Sequence, residues 1–157
     1  MSGPHFRAGV VAVVRRPDGR VMAFERVDLP GQWQLPQGGL ESGESPVEAA
    51  WRELAEETGL GPNDVVLSEE LPDWTVYEWP RRALDSKRLG QAQRWFFFDV
   101  VDATVEPSPD GSEFSTWRWV EPDWLLDNVV AFRRSSYRRA LGSAPGPAPA
   151  PGPGRDA

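Results

Sequence analysis

The segment Gly38–Leu60, GGLESGESPVEAAWRELAEETGL, leaves a chain that contains it few folds to choose from. Two glycines and an acidic loop run directly into a helix with strong punctuation. Ser45 is placed to cap it, Pro46 suits its first turn, and Glu48, three positions after Ser45, completes a capping box. Gly59 stands where a left-handed C-terminal residue is expected. Val47, Ala50, Trp51 and Leu54 recur at helical spacing and predict the face that meets the core. Glu53, Glu56 and Glu57 fall in a different sector, roughly 100° wide. Like charges at these spacings cost a helix a few tenths of a kcal/mol per pair, about 0.2–0.5. A cluster of hard oxygen ligands with no lysine beside it suits a hard divalent cation such as Mg²⁺, with Mn²⁺ as the other candidate. A solvated acidic face is the plain alternative.

Such a loop and helix need a sheet to pack on, and the flanking sequence supplies strands. Arg7–Arg15 is rich in valine and predicts a buried strand, Pro17-Asp18-Gly19 is a turn signal, and Val21–Arg26 returns as a second arm. Leu29–Trp33 reads as a loop, followed by a short extended piece at Gln34-Leu35. Val65–Leu71, Trp74–Trp79, Gln93–Val101 and Phe114–Val120 read as further strands, and the stretch Pro80–Gly90 as a basic loop. Pro122–Asn128 and Val129–Leu141 read as helices. Strands and helices in this order suit an α/β (α+β) sandwich. From Gly142 the chain turns to Pro, Ala and Gly in near alternation, with nothing to bury. The expected organisation is one domain over 1–141 and a disordered tail over 142–157.

Composition removes several chemistries. With no cysteine among 157 residues, disulfide scaffolds, thiol catalysis and cysteine-based zinc sites are excluded. The single histidine, His5, lies near the start of the chain, which leaves little room for a histidine-based triad. No signal-peptide pattern and no apolar run of membrane-spanning length are found, so a cytoplasmic protein without a membrane partner is expected. The net charge of −7 argues against long-range attraction to nucleic acid. The basic residues cluster, however, as Arg81 with Arg82, Lys87 with Arg88, Arg133 with Arg134, and Arg138 with Arg139, which leaves room for a local basic patch beside an acidic metal site.

The spacing of the central segment carries a family resemblance. Gly38, five residues, Glu44, seven residues, then Arg52-Glu53-Leu54-Ala55-Glu56-Glu57-Thr58-Gly59-Leu60 resembles the Nudix box, G-x5-E-x7-R-E-U-x-E-E-x-G-U with U apolar, and every fixed position matches. The resemblance implies an α/β/α sandwich with a central mixed β-sheet. It also implies a divalent-metal-dependent hydrolase that cuts a phosphoanhydride bond of a nucleoside diphosphate linked to another group. Beyond the box, Trp33–Gly39, Gly90–Phe96, Glu113–Val120, Val129–Arg134 and Tyr137–Arg139 resemble the branch that holds RNA 5′-pyrophosphohydrolases and asymmetric diadenosine tetraphosphate hydrolases. Candidate substrates are therefore a 5′-triphosphate RNA end or a nucleotide or dinucleoside polyphosphate, and no protein partner is indicated. An oxidised-dGTP type triphosphatase, an ADP-ribose or sugar-nucleotide pyrophosphatase, and a binding module that lost its chemistry are the alternatives.

Residue roles follow from the chemistry together with this resemblance. Glu53 and Glu57, one turn apart, are expected to hold metal. Glu56 is expected as a further ligand or water-positioning group, with the Gly38 carbonyl and Glu113 completing the set. Glu113 is also the candidate general base, or else an exposed loop acid. Arg52 is expected to serve as a structural partner of Glu44. Arg7, Arg26 and Arg94, alongside Gln37, are candidates to hold phosphates, since guanidinium forks match phosphate oxygens. Phe132 and Arg133, with Tyr77, are candidates to stack on and contact a base, or else belong to the core.

Overall fold

The computed structural model describes residues 4–80 and 88–143. The expected elements form, with shifted edges. Strands β1 (His5–Arg15), β2 (Val21–Arg26), β3 (Trp33–Gln34) and β4 (Gln37–Gly39) lead into helix α1 (Pro46–Thr58). Strands β5 (Val65–Glu70), β6 (Thr75–Glu78), β7 (Arg88–Val100) and β8 (Phe114–Val120) follow, then helices α2 (Pro122–Asn128) and α3 (Arg134–Ser143).

All eight strands join one sheet, ordered β3-β2-β1-β7-β5, with β4 on β1, β6 on β7 and β8 on β2. The long central pair, β1 and β7, is parallel and the other pairings are antiparallel, so the sheet is mixed. The central pair explains its own sequence. Val10–Val14 and Trp95–Phe98 are apolar without alternation because both faces of these strands are covered. Val10, Ala12, Val14, Phe96 and Phe98 pack with Ala49, Ala50 and Leu54 of α1. Val11, Val13, Trp95 and Phe97 pack with Leu125, Tyr137 and Ala140 on the opposite side. Two cores therefore sandwich one sheet between α1 and the α2–α3 pair.

Helix α1 has the expected punctuation: the Glu48 amide donates to Ser45 Oγ at 3.3 Å, and Gly59 takes φ 73° while its amide donates to the Ala55 carbonyl. The predicted single helix over Val129–Leu141 is instead broken. Val129 and Val130 are extended, Ala131–Arg133 forms one 3₁₀ turn, and α3 starts only at Arg134. Two adjacent β-branched residues resist helical geometry, and burying Val129 in the core is better served by an extended backbone. Strand β7 also begins earlier than expected, at Arg88, because Gly90 lets β6 lie close: a Cβ there would overlap the Tyr77 carbonyl. Trp33, expected in a loop, pairs with Glu25. The clustered Arg81, Arg82 and Lys87, and the tail beyond Ser143, lie outside the described residues.

The site is set by how β1 shares its edge. Strand β2 meets β1 at Arg15–Val21, and β4 takes the same edge at Gly9–Val11. Where β2 leaves β1 the sheet parts, and a cleft opens above the end of α1.

Candidate active site

The cleft, of about 300 Å³, is lined by Gln37, Gly38 and Gly39 of β4, by Glu53 and Glu57 of α1, and by Arg7, Arg26, Gln34, Gln91, Glu113 and Arg133. Its floor is acidic. Glu57 is 5% exposed and Glu53 9%. They reach the cleft because β4 carries no side chain at the crossing: a Cβ on Gly38 would overlap the Glu53 carboxylate. Gly9 similarly keeps the Gly38 carbonyl clear, since a Cβ there would sit 2.7 Å from that oxygen.

Burial pushes the Glu53 carboxyl above its ordinary range, and Glu56 adds to this; the neighbouring Arg52 works in the other direction. Glu57 is raised further, first by burial, then by the charges of Glu113 and Glu53. The Gln37 amide, donating to Glu57 Oε2 at 3.2 Å, offsets only part of this.

Arg52 organises the loop around these acids. It donates to both oxygens of Glu44 at 2.7 and 2.9 Å, to the Gly39 carbonyl at 2.9 Å, to Glu53 at 2.7 Å and to Glu56 at 3.3 Å. The bidentate contact draws Glu44 down to about 2. Glu56 stands beside Glu53, as expected, sharing Arg52 Nη1 with it, but its carboxylate lies on the exposed side of α1 and does not line the cleft. Helical rotation explains the split: β4 covers the sector of Glu53 and Glu57 and stops short of Glu56.

Glu113 enters from the opposite wall. Its loop is pinned to α1 by the Ser108 amide on the Thr58 carbonyl at 2.7 Å and the Asp110 amide on the Glu57 carbonyl at 3.2 Å. Asp110 Oδ1 then accepts from the amides of Ser112, Glu113 and Phe114 at 3.1, 2.9 and 3.0 Å. Sequence reasoning passed over Asp110. Its signal was present in Asp110-Gly111-Ser112, an acid that folds its own backbone into a turn. A register shift between Glu25 and Arg26 turns the end of β2, and Arg26 lines the cleft with its guanidinium held by Asp28 at 2.9 and 2.7 Å.

The remaining cations divide. Arg7 lies flat against Gly39, where a Cβ would overlap its guanidinium, and no described residue accepts a hydrogen bond from it. Arg133 is 9% exposed, donates to Gln34 Oε1 at 2.5 Å and forms no ion pair among the described residues. It lies 5.8 Å from the Tyr77 ring centroid and 5.2 Å from that of Phe132. Those two rings meet at 5.6 Å, Tyr77 buried and Phe132 half-buried. Arg94, expected among the phosphate-holding residues, is turned away: it is tied to Glu70 and the Leu71 carbonyl, lies over Trp74, and does not line the cleft. Strand alternation decides this, since Arg94 points to the face opposite its neighbour Gln93.

Amides complete the lining. Behind Gln91, the fully buried Gln93 does not line the cleft; its Nε2 donates to Gln91 Oε1 at 2.9 Å, and the buried Gln37 Oε1 and Gln93 Oε1 have no partner among the described residues. Of these, only Gln37 was singled out from sequence. The i, i+2 spacing of Gln91 and Gln93 was the available signal, as it places two amides on one face of a strand.

Among the described residues no three acidic side chains stand as a finished cation cage. The donor set nevertheless fits a hard divalent cation: two buried carboxylates, a carbonyl kept clear by Gly9, an orphaned amide oxygen at Gln37, and a third carboxylate on the facing wall.

A mixed sheet between helices, opening onto buried carboxylates faced by arginines, defines a class of enzyme that handles condensed phosphates. Residues 5–140 match the NUDIX domain. An RNA pyrophosphohydrolase of Xylella fastidiosa (strain Temecula1) is 43% identical over 143 residues, covering 87% of this chain and 75% of that protein. An RNA pyrophosphohydrolase of Halorhodospira halophila is 39% identical over 152 residues, covering 90% and 81%. Among solved structures, the dihydroneopterin triphosphate pyrophosphohydrolase of E. coli aligns with a TM-score of 0.71 at 19% identity, covering 91% of this chain and 100% of that one. A C. elegans Ap4A hydrolase binary complex aligns at 0.63 and 16%, covering 85% and 96%. These two likenesses show the fold. The chain belongs to the NUDIX family and is a hydrolase of phosphoanhydride bonds, in a family that generally works with a divalent metal.

Proposed function

We propose that this protein removes pyrophosphate from the 5′-triphosphate end of RNA. One observation carries the reading: the cleft has two chemically distinct ends. The acidic floor of Glu53 and Glu57 suits metal and phosphate. The cationic wall of Arg7, Arg26 and Arg133 suits further phosphates, and the half-buried Phe132, which adjoins Arg133 outside the lining of the cleft, would meet a nucleobase. The RNA pyrophosphohydrolases at 43% and 39% identity support the same substrate.

Glu53, Glu57 and the Gly38 carbonyl would hold Mg²⁺ or Mn²⁺, with Glu113 as the facing ligand or base and Glu56 outside this set. The metal would supply charge neutralisation, a polarised phosphorus and a more acidic water. The chain does the rest. Arg7 and Arg133 bind phosphate oxygens, and Arg26, steadied by Asp28, closes the mouth. Glu113 accepts the proton of the attacking water. The water oxygen bonds to phosphorus as the bridging P–O bond breaks, and its electron pair leaves on the pyrophosphate. RNA with a 5′-monophosphate remains.

The net charge of −7 favours a second reading, in which a free dinucleoside tetraphosphate is the substrate, because a small anion is repelled less than a long one. Side-by-side turnover of 5′-triphosphate RNA, diadenosine tetraphosphate and a dGTP analogue, with each metal, decides between them. Highest kcat/KM on the RNA with release of pyrophosphate is expected. Preferred cleavage of the dinucleotide to ATP and AMP would overturn the RNA reading.

A further inference from the structure

Strand β8 pairs along the whole of β2, and its far edge meets no other strand among the described residues. On the α2 side of this edge, Arg118 is exposed. Its guanidinium carbon lies 4.8 Å from the ring centroid of Trp33 and 5.1 Å from that of Trp124. The two indoles meet edge to face at 5.5 Å and 74°. Arg118 is thus held between two rings, and no described residue accepts a hydrogen bond from it. Beside it runs an open groove of about 360 Å³ lined by Arg20, Arg118, Trp119, Val120, Glu121 and Trp124. Arg16 lies over the Trp119 ring at 5.2 Å. Arg16 is paired with Asp18, and Arg20 with Glu121 at 3.1 Å, so Arg118 is the groove cation whose N–H groups are uncommitted.

A guanidinium fixed by stacking has already lost most of its freedom. Its N–H fork can take a phosphate at a smaller ordering cost than a free surface arginine. Trp124 is half-exposed and offers indole surface on the same face as Arg118, while Trp119 packs towards the α1 side. Phosphate donors alternating with ring surface are what a single-stranded nucleic acid requires. An acidic peptide would satisfy the arginines and leave the indoles unused. The groove lies at the Val120 end of β8 and the cleft at its Phe114 end, and the two are linked through Trp33, on which Arg118 stacks and which precedes the cleft residue Gln34.

We propose that this groove binds the single-stranded body of an RNA whose 5′ end occupies the cleft, a role that rests on the RNA reading above. Two measurements on the full chain test it. The first is the affinity, by fluorescence anisotropy, for a 5′-hydroxyl RNA about twelve nucleotides long, which has no triphosphate to anchor it. The second is kcat/KM on 5′-triphosphate RNAs of about two and about twelve nucleotides. Arg118→Gln is expected to weaken the 5′-hydroxyl RNA about tenfold and to lower the salt slope of binding by about 1. It should abolish the kcat/KM advantage of the longer triphosphate RNA and leave turnover of the shorter one unchanged. Because Arg118 also packs on Trp33, Arg20→Gln serves as a second variant that leaves this packing intact, with a smaller loss in the same direction.

Affinity and length dependence unchanged in both variants would overturn the proposal. So would a polyglutamate peptide that binds the groove in place of RNA. The two readings fail differently. Length-independent turnover of RNA removes the groove and keeps the substrate. Arg118-dependent RNA binding without any turnover of RNA keeps the groove and removes the substrate.

Discussion

Glu57 is the residue on which the chemistry turns, because it is the most deeply buried acid of the cleft and faces both Glu53 and Glu113. Glu57→Gln keeps the shape and removes the charge. It is expected to lower kcat by about 10³-fold or more, while the metal-free fold stays as stable as before, since burial already favours the neutral acid. Near-normal turnover in a folded variant would remove Glu57 from the site. The same crowding makes stability depend on pH. Glu53 and Glu57 bind protons more tightly folded than unfolded. The share of metal-free stability that these two acids contribute is therefore full below the ordinary glutamate range, near pH 4.3, and is lost as pH rises through the raised folded values. Metal, which needs both acids ionised, should reverse the trend and release protons on binding. Thermal melts across this window with and without Mg²⁺, and titration calorimetry in buffers of different ionisation enthalpy, measure both effects. A metal-free melting temperature that climbs above the glutamate range would contradict them.

At the scale of elements, the site is a strap between two helices. The Leu35 amide donates to the buried Tyr137 hydroxyl of α3 at 3.0 Å, the Pro36 carbonyl accepts from Ala12, and the Gln37 amide donates to Glu57 of α1. Strand β4 then passes over Glu53 with no room for a side chain. Gly38→Ala must displace either the strand or the carboxylate. A loss of metal affinity of about tenfold or more is expected, read from the metal dependence of turnover. Unchanged affinity would mean that Glu53 has another way to the metal. At the other end, the 3₁₀ turn presents Phe132 against Tyr77. Phe132→Ala should raise KM more than it lowers kcat, because stacking contributes to ground state and transition state alike. A pure kcat loss would point to a catalytic role, and a lowered melting temperature to a core role.

For the whole molecule, two cores on one sheet hold the described residues together. Leu141 packs against the α2–α3 core, and α3 ends at Ser143. The Pro, Ala and Gly that follow carry no side chain large enough to anchor. Truncation after Ser143 should change stability by less than about 0.5 kcal/mol and leave turnover intact. A clear drop in either would show the tail docked on the domain or on a second copy. Among the described residues no helix is long and apolar enough to cross a membrane.

The sequence by itself determined what depends on neighbours along the chain. Ser45, Pro46, Glu48 and Gly59 fix the ends of α1 through their own backbones. The apolar runs of β1 and β7 announce strands covered on both faces. The spacing of Glu53 and Glu57 puts two acids on one side of a helix. Tertiary structure alone decided which of these groups meet. Glu56 has the same chemistry as Glu57 and sits beside it, yet rotation about the helix hands it to Arg52 and solvent. Arg94 and Gln93 are adjacent, but the strand pleat sends them to opposite faces. Arg133 reaches the cleft because Val129 and Val130 break what the pattern predicted as one helix. Asp110 matters only because its loop is tied to the end of α1. Local propensity follows from a residue and its few neighbours; a site depends on long-range pairings and on the direction each side chain takes once its backbone is placed.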